Sequence, residues 1–422
     1  MKKILILGGA QQHCKIVDAA KRLGLYTIVT DYLPNSPAKK ICDKAYNCNI
    51  TDIDGIVAMC KEKGVDGVIT GYIDPCQRPY AEICKRLNLP CFGTPEQFFS
   101  LTDKHAFKQM CRDNAVDVIQ EFSDDDINKN QIDYPVFVKP VDSRGSRGQS
   151  VCTCREELNQ AIRFAKSESS NSDILIEKYM GNQNEVQITY FLINGKAYLV
   201  RTVDSYVGSE TDKLEKVVKY SISPSKYTDI YLETAHHNVT RMIEKLGIKD
   251  GPVFMQGFYD NGKFRFFDPG LRFPGVEYDL IYKELLGVDL VEALVDYAIN
   301  GKFTTLHDLP KDGVYLNHHS AAVLFPTISA GTITEIRGMD KIQSHPQIVA
   351  IAMRHDVGEE IGWTYDVNQR LCEIDIYADS YQALSDNIKY VQNTLDVQNA
   401  DGTSMVYGEL DIDVFMNGYT EV

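Results

Sequence analysis

Tyr134-Pro-Val-Phe-Val-Lys139-Pro-Val-Asp-Ser-Arg-Gly145-Ser-Arg-Gly148-Gln-Ser-Val151 is the stretch that decides the fold. A short apolar run, Val136 to Val138, ends on a lysine and passes into a loop of glycines, serines and arginines, and a β-branched residue resumes at Val151. That pattern predicts a strand delivering an ammonium group, a loop rich in exposed backbone N–H, and a second strand. Glycine lets such a loop approach a polyanion closely, and arginine and lysine bring positive charge. The lysine precedes the glycines and no helical pattern follows directly, so this is not the phosphate loop G-x-x-x-x-G-K-[ST]. An ordinary hairpin with a basic, solvated tip fits the stretch equally well.

The surrounding chain narrows the choice. At 422 residues it is long enough for two to four domains. Its 44% hydrophobic and 24% charged content is that of a soluble globular protein. A net charge of −15 argues against nucleic acid or an anionic membrane as partner, which makes the local pair Arg144 and Arg147 more informative. Eleven irregularly spaced cysteines do not form a disulfide framework, and Cys152-Thr-Cys154 is too close for a C-x-x-C pair. Reduced thiols in a cytoplasmic protein are expected. The apolar run after Met1-Lys-Lys is too short for a signal peptide, and no segment approaches the ~20 apolar residues of a membrane span.

Outward from the loop, Lys3–Leu7 followed by Gly8-Gly9 suits a buried parallel strand and a tight turn. A helical period through Ile16, Val17, Ala20 and Leu23 and a strand Tyr26–Thr30 ending at Asp31 complete a Rossmann-like β-α-β unit. The glycines do not make G-x-G-x-x-G, so a structural α/β layer is favoured over dinucleotide binding, and a dehydrogenase is the remote rival. Further elements are expected as a strand at Val65–Thr70, a helix at Tyr80–Leu87 and one helix from Pro95 to Cys111. Past the loop come a helix at Glu156–Ser167, a strand Asp173–Glu177, and strands Glu185–Ile193 and Ala197–Val203 about the turn Asn194-Gly195. Residues 208–226 look like a polar loop, and Tyr227–Leu246 like a long helix. Val253–Tyr259 and Lys263–Phe267 pair about Asn261-Gly262, and the chain after residue 310 turns strand-rich before a helix from Tyr381. His236-His237 and His318-His319 are adjacent pairs whose side chains diverge, which does not suit a metal.

Four features stand in order: Lys104, then Lys139 before its loop, then a strand ending Ile176-Glu-Lys-Tyr-Met180 with Glu185 just after, then a hairpin closing on Asp268-Pro-Gly270-Leu-Arg272. Together they resemble the ATP-grasp superfamily of carboxylate–amine or thiol ligases, over nearly the whole chain. The resemblance implies mixed α/β and α+β architecture. A Rossmann-like pre-grasp domain would span residues 1–95 and the ATP-grasp domain 96–305, with a lid subdomain at about 115–180. A small C-terminal α+β domain, like those of amino-acid ligases and biotin carboxylase, would span 306–422. On these residues it places ATP phosphates at Lys104 and Lys139, under a lid containing Gly145, Ser146, Arg147 and Gly148. The adenine edge would meet backbone groups of Lys178 and Met180 beside Tyr179, its amino group Glu177, and the ribose Glu185.

The floor departs from the family pattern. The usual acidic residue of the first hairpin strand is Gln256 here, and the closing Glu-x-Asn-x-Arg becomes Asp268-Pro-Gly270-Leu-Arg272. Asp268 and Gln256 would hold one magnesium, with manganese as the alternative, and Arg272 would steady the transferred phosphoryl group. The implied function is ATP-dependent joining of a carboxylic acid to an amine through an acyl phosphate. A carboxylase or carbamoyl-phosphate-like activity is the alternative, and Gln256 and Gly270 leave open a degenerate ATP-binding protein without ligase activity. Lys216 and Lys219 are further candidates for anionic substrate contacts. The partners implied are small molecules, and a homodimer is left open.

Overall fold

Four parallel strands open the chain, β1 (Lys3–Leu7), β2 (Tyr26–Asp31), β3 (Lys44–Asn47) and β4 (Gly67–Ile69), in the spatial order β3-β2-β1-β4. The computed structural model describes residues 1–141, 148–169, 172–181, 185–208, 214, 217–275, 278–416 and 418–419. Ile4 to Leu7 are fully buried between helices, which is why β1 is apolar throughout instead of alternating. The helices are α1 (His13–Arg22), α2 (Pro37–Ile41), α3 (Ile53–Lys63) and α4 (Asp74–Leu87). The start of α4 lies well before the expected Tyr80. Pro75 occupies its first turn, where a missing N–H costs nothing, and Pro79 is accommodated inside the helix.

The single helix expected from Pro95 to Cys111 is two, α5 (Pro95–Ser100) and α6 (Lys104–Asp113). The break has a local cause: the Asp103 carboxylate accepts from the N–H of Ala106 at 2.9 Å, an N-cap that starts a new helix on Lys104. After a short α7 (Asp124–Asn128) comes a three-stranded antiparallel sheet. In it β5 (Val136–Pro140) lies between β6 (Ser150–Cys152) and β7 (Ile174–Lys178), with α8 (Arg155–Glu168) laid across it. Val136, Val138, Leu158, Ala165 and Ile176 give this unit a core of its own. The expected hairpin is present, Val136 facing Cys152 and Val138 facing Ser150.

The largest sheet begins with β8 (Glu185–Ile193), β9 (Lys196–Val207) and β10 (Val218–Ser223). Helices α9 (Thr228–Thr234) and α10 (His236–Lys245) follow, then β11 (Gly251–Asp260), β12 (Lys263–Gly270), α11 (Asp279–Leu286) and α12 (Leu290–Asn300). The remaining strands are β13 (Ser320–Leu324), β14 (Gly331–Thr332), β15 (Glu335–Arg337), β16 (Ile348–Met353), β17 (Glu360–Ile361), β18 (Cys372–Ala378) and β19 (Asp396–Gln398). The eight-stranded order is β12-β11-β8-β9-β10-β13-β18-β16, so strands beyond residue 310 continue the same sheet. β10 corrects the expectation of a loop over 208–226. Its Tyr220 and Ile222 join the C-terminal core with Leu324, Ile374 and Ile388, Ser221 and Ser223 point to the other face, and Lys219 sits at a bulge in the pairing with β9.

Helix α12 locks this sheet's layer to the first domain. A side chain on Gly67 of β4 would meet the Ala298 carbonyl at 2.5 Å, so only glycine allows the approach. Arg22 of α1 pairs with Asp289 at 2.6 Å and Glu292 at 3.1 Å, and Lys15 with Asp279 at 3.1 Å. All eleven cysteines are free thiols. Among the described residues no helix is long and apolar enough to cross a membrane.

Candidate active site

Helix α6 brings two lysines to one place because residues four apart share a helix face. Lys104, the first residue of α6, is crowded enough that burial and the ammonium of Lys139 lower its pKa, against the pull of Asp268 and Glu177. Lys108, one turn on, is fully buried and bonds Glu177 and, at 3.1 Å, Glu121. Lys139 on β5 reaches the other Glu177 oxygen at 2.7 Å and lies 5.5 Å over the ring of Phe267. Burial alone would push the Glu177 carboxyl up, but Lys139 and Lys108 outweigh it and hold it below the usual range. Lys108 escaped the sequence reading, although its spacing from Lys104 was the available signal.

The floor is made by β12, β11 and β8. Asp268 faces Gln256, and Gln256 faces Gln187. Next to this row the pairing slips: Gly257 faces Phe266, which leaves Phe267 as an extra residue on β12. This bulge reverses a face. In a regular strand residues 266 and 268 point the same way; here Phe266 is fully buried while Asp268 turns towards the lysines. The Gln256 amide donates to Glu185 at 3.3 Å. Burial and the nearby Asp268 push the Glu185 carboxyl up to about 7, and burial raises Asp268 against the opposing pull of Lys104. Two carboxyls pushed up beside a lysine pushed down make this a cluster of perturbed groups, a pattern functional sites share with structural ion-pair networks.

Arg272 lies just past β12. Its guanidinium takes Asp74, the first residue of α4, in a two-pronged pair at 2.5 and 2.7 Å, and packs 4.5 Å over the ring of Phe254. Asp74 is therefore a contribution of the first domain that the sequence did not signal. It was hidden because Pro75 and Pro79 obscured the start of α4. Gly270 has a steric reason: any side chain there would meet the Phe254 ring at 2.2 Å.

Glu177 and Lys178 close β7, and Tyr179 and Met180 follow it. The N–H of Lys178 is taken by the Gln120 carbonyl at 2.9 Å and that of Tyr179 by Pro135 at 3.0 Å. The Tyr179 ring lies 6.4 Å from Phe137. Gly148 sits at a φ of 71° and packs where a side chain would meet Pro140 at 2.6 Å, so its backbone conformation and its space both require glycine. Gly145, Ser146 and Arg147, with Arg144 and Lys216, lie outside the described residues. Lys219 sends its ammonium to the Gly408 carbonyl. His236 bonds the Tyr190 hydroxyl at 2.8 Å. Among the described residues no three His, Cys, Asp or Glu side chains form a metal-binding group.

Comparison with known proteins fits this geometry. Residues 103–248 match the family described as carbamoyl-phosphate synthase L chain, ATP binding domain, and residues 4–78 match the PylC-like N-terminal domain. The chain is 26% identical over 255 residues to the formate-dependent phosphoribosylglycinamide formyltransferase of Prochlorococcus marinus (strain NATL1A), covering 58% of this chain and 64% of that protein. It thus spans somewhat under two thirds of the length of that curated relative. Among solved structures, the L-amino acid ligase of Bacillus licheniformis superposes with a TM-score of 0.75 at 19% identity, over 94% of this chain and 99% of that one. The biotin carboxylase domain of Hydrogenobacter thermophilus 2-oxoglutarate carboxylase, solved with MgADP and bicarbonate, gives 0.79 at 18% identity, over 100% and 96%. The fold shared across these structures is the ATP-grasp fold.

Proposed function

We infer that this chain, a member of the ATP-grasp superfamily, is an ATP-dependent ligase that joins a carboxylic acid to an amine. The observation that carries the reading is the convergence of Lys104, Lys139, Asp268 and Glu185 at the mouth between β5 and the β8–β11–β12 floor. A carboxylate is a poor electrophile, and transfer of the γ-phosphoryl group of ATP to one of its oxygens makes it an acyl phosphate. The amine then attacks the acyl carbon and phosphate leaves with the C–O electron pair. Such chemistry needs positioning and charge neutralisation more than a protein nucleophile. Lys104 and Lys139 bind the phosphates, Arg272 steadies the transferring group, and the Asp74 carboxylate fixes Arg272 in place.

The residues fit one magnesium ion better than two. Asp268 is the carboxylate that would hold it, with the Gln256 amide beside it, and Glu185 is the neighbouring charge it would relieve. Bound there, the metal supplies neutralisation of phosphate charge. Glu177 serves the lysines in this chain, so its proposed part in adenine recognition is shared with that of an anchor. We place the protein in the cytoplasm, acting on small molecules. The reading is tested by binding and turnover of magnesium ATP in Asp268→Ala and Arg272→Ala. Both variants should keep the thermal transition of the parent and lose ADP formation by about 100-fold or more. Unchanged turnover in both contradicts it. Tight ATP binding with no turnover on any acid–amine pair would point instead to a nucleotide-binding protein without ligation.

A further inference from the structure

The large sheet carries a second polar place, on β9 and β10, apart from the row at Asp268. Arg201 of β9 is buried, with 2% of its surface exposed, and its guanidinium donates to the Gln187 amide oxygen at 3.0 Å. Its plane lies 4.5 Å over the ring of Tyr278. Its Nε has no partner, and among the described residues Asp375, Asp279 and Glu373 act on it only as more distant charge. Burial brings the guanidinium down to about 10, so it stays charged at neutral pH. On the neighbouring strand, β10, the Ser221 hydroxyl is likewise buried without a partner.

Arg201 and Ser221 line one small cavity of about 10 Å³, room for about one water. Ser223 and Tyr278 bring two further hydroxyls to its wall, Val314 and Leu316 close it with hydrocarbon, and none of its lining side chains is a carboxylate. Burying a guanidinium with a neutral amide as its acceptor is costly unless something completes it. A water in the cavity would take the Nε–H bond but leave the charge unbalanced. A monoatomic anion is close to a water in size. It accepts from the Nε–H and from a turned hydroxyl at once, and it neutralises the guanidinium where apolar walls strengthen the attraction. Carboxylates, phosphate and other polyatomic anions are too bulky for the space.

We propose that Arg201 and Ser221 hold a halide ion, chloride, as a buried structural anion. The ion lies between the Nε–H of Arg201 and the Ser221 hydroxyl, against Val314 and Leu316. Its effect reaches the floor row through one hydrogen bond. A fixed Arg201 fixes the Gln187 amide, and Gln187 faces Gln256, which in turn faces Asp268. The ion takes no part in phosphoryl transfer, so the site does not rest on the ligase reading.

The test is thermal unfolding of the full chain in gluconate buffer, with chloride or bromide replacing gluconate at constant ionic strength, beside Arg201→Met and Ser221→Ala. Constant ionic strength removes general screening from the comparison. Both halides should raise the transition of the parent, with the logarithmic dependence of a ligand bound by the folded state alone. Arg201→Met should lose the rise, and Ser221→Ala should need about threefold or more chloride for the same rise. If Arg201→Met fails to fold, Ser221→Ala decides, together with crystals of the parent grown in bromide. These should show anomalous signal within hydrogen-bonding distance of the Arg201 Nε and the Ser221 Oγ. A transition indifferent to halide, equal rises in parent and folded variants, or a water without anomalous signal in the cavity overturns the site.

Discussion

Glu177 is buried between two ammonium groups, and the cost of that arrangement falls on whichever partner is removed. Replacing Lys108 by Met leaves a buried carboxylate with Lys139 alone and should destabilise the chain by about 3 kcal/mol, near the lower end for breaking a buried pair. Urea unfolding of Lys108→Met and of Lys108→Met combined with Glu177→Gln checks this: the double variant should recover part of the loss, and two equal losses would contradict it. His13, fully buried at the start of α1, carries a pH dependence of the opposite kind. Burial lowers its pKa from 6.5 to about 4, against the pull of Asp31. The unfolded chain therefore takes up a proton below pH 6.5 that the folded chain refuses until about pH 4. Stability is full above 6.5 and falls as pH drops towards 4, by about 2 kcal/mol between pH 7 and pH 5. His13→Gln should lack that increment in urea unfolding at the two pH values; an identical slope would refute it.

The element that sets the site is the β11–β12 hairpin, and its features act together. The bulge at Phe267 turns Asp268 out of the core, and the Phe254 ring fills the space a side chain at 270 would need while supporting Arg272. Gly270→Asn, which restores the usual family residue, should therefore destabilise the hairpin by about 1–3 kcal/mol through overpacking. Paired with Phe254→Ala it should cost less than the two changes summed, with a coupling of about 1 kcal/mol or more in a double-mutant cycle. Additive losses would show that the ring is not what excludes the asparagine. The Asn261-Gly262 turn and both hairpin strands were legible in the sequence because alternation and turn residues agree there. The bulge was not, since an extra residue in an apolar run leaves the run looking regular. β10 was missed for a related reason. Its Lys219, Ser221 and Ser223 are polar and a bulge lies between Val218 and Tyr220, so the expected alternation is broken.

At the scale of the molecule, the order of elements was legible: a parallel α/β layer, a hairpin whose first strand carries a lysine, and a second hairpin ending in a carboxylate and an arginine. What joins them was not. Asp74 reaches Arg272 across almost two hundred positions of chain, and Lys15 reaches Asp279 over a longer span still, contacts that no local pattern announces. Nor does the sequence show that β13, β18 and β16 extend the floor sheet, because the join is made by β13 pairing with β10, far back in the chain. These contacts hold the first domain against the layer of the long sheet and set Asp74 beside the hairpin that carries Asp268 and Arg272. The most direct measurement is ADP release from magnesium ATP by the purified full chain, over a panel of short carboxylates paired with amino acids. The expected result is ADP and phosphate in equal amounts only when metal, acid and amine are all present, with an amide product of matching mass. Nucleotide bound with no ADP from any pair, or ADP formed at the same rate without acid, would contradict the assignment as a ligase.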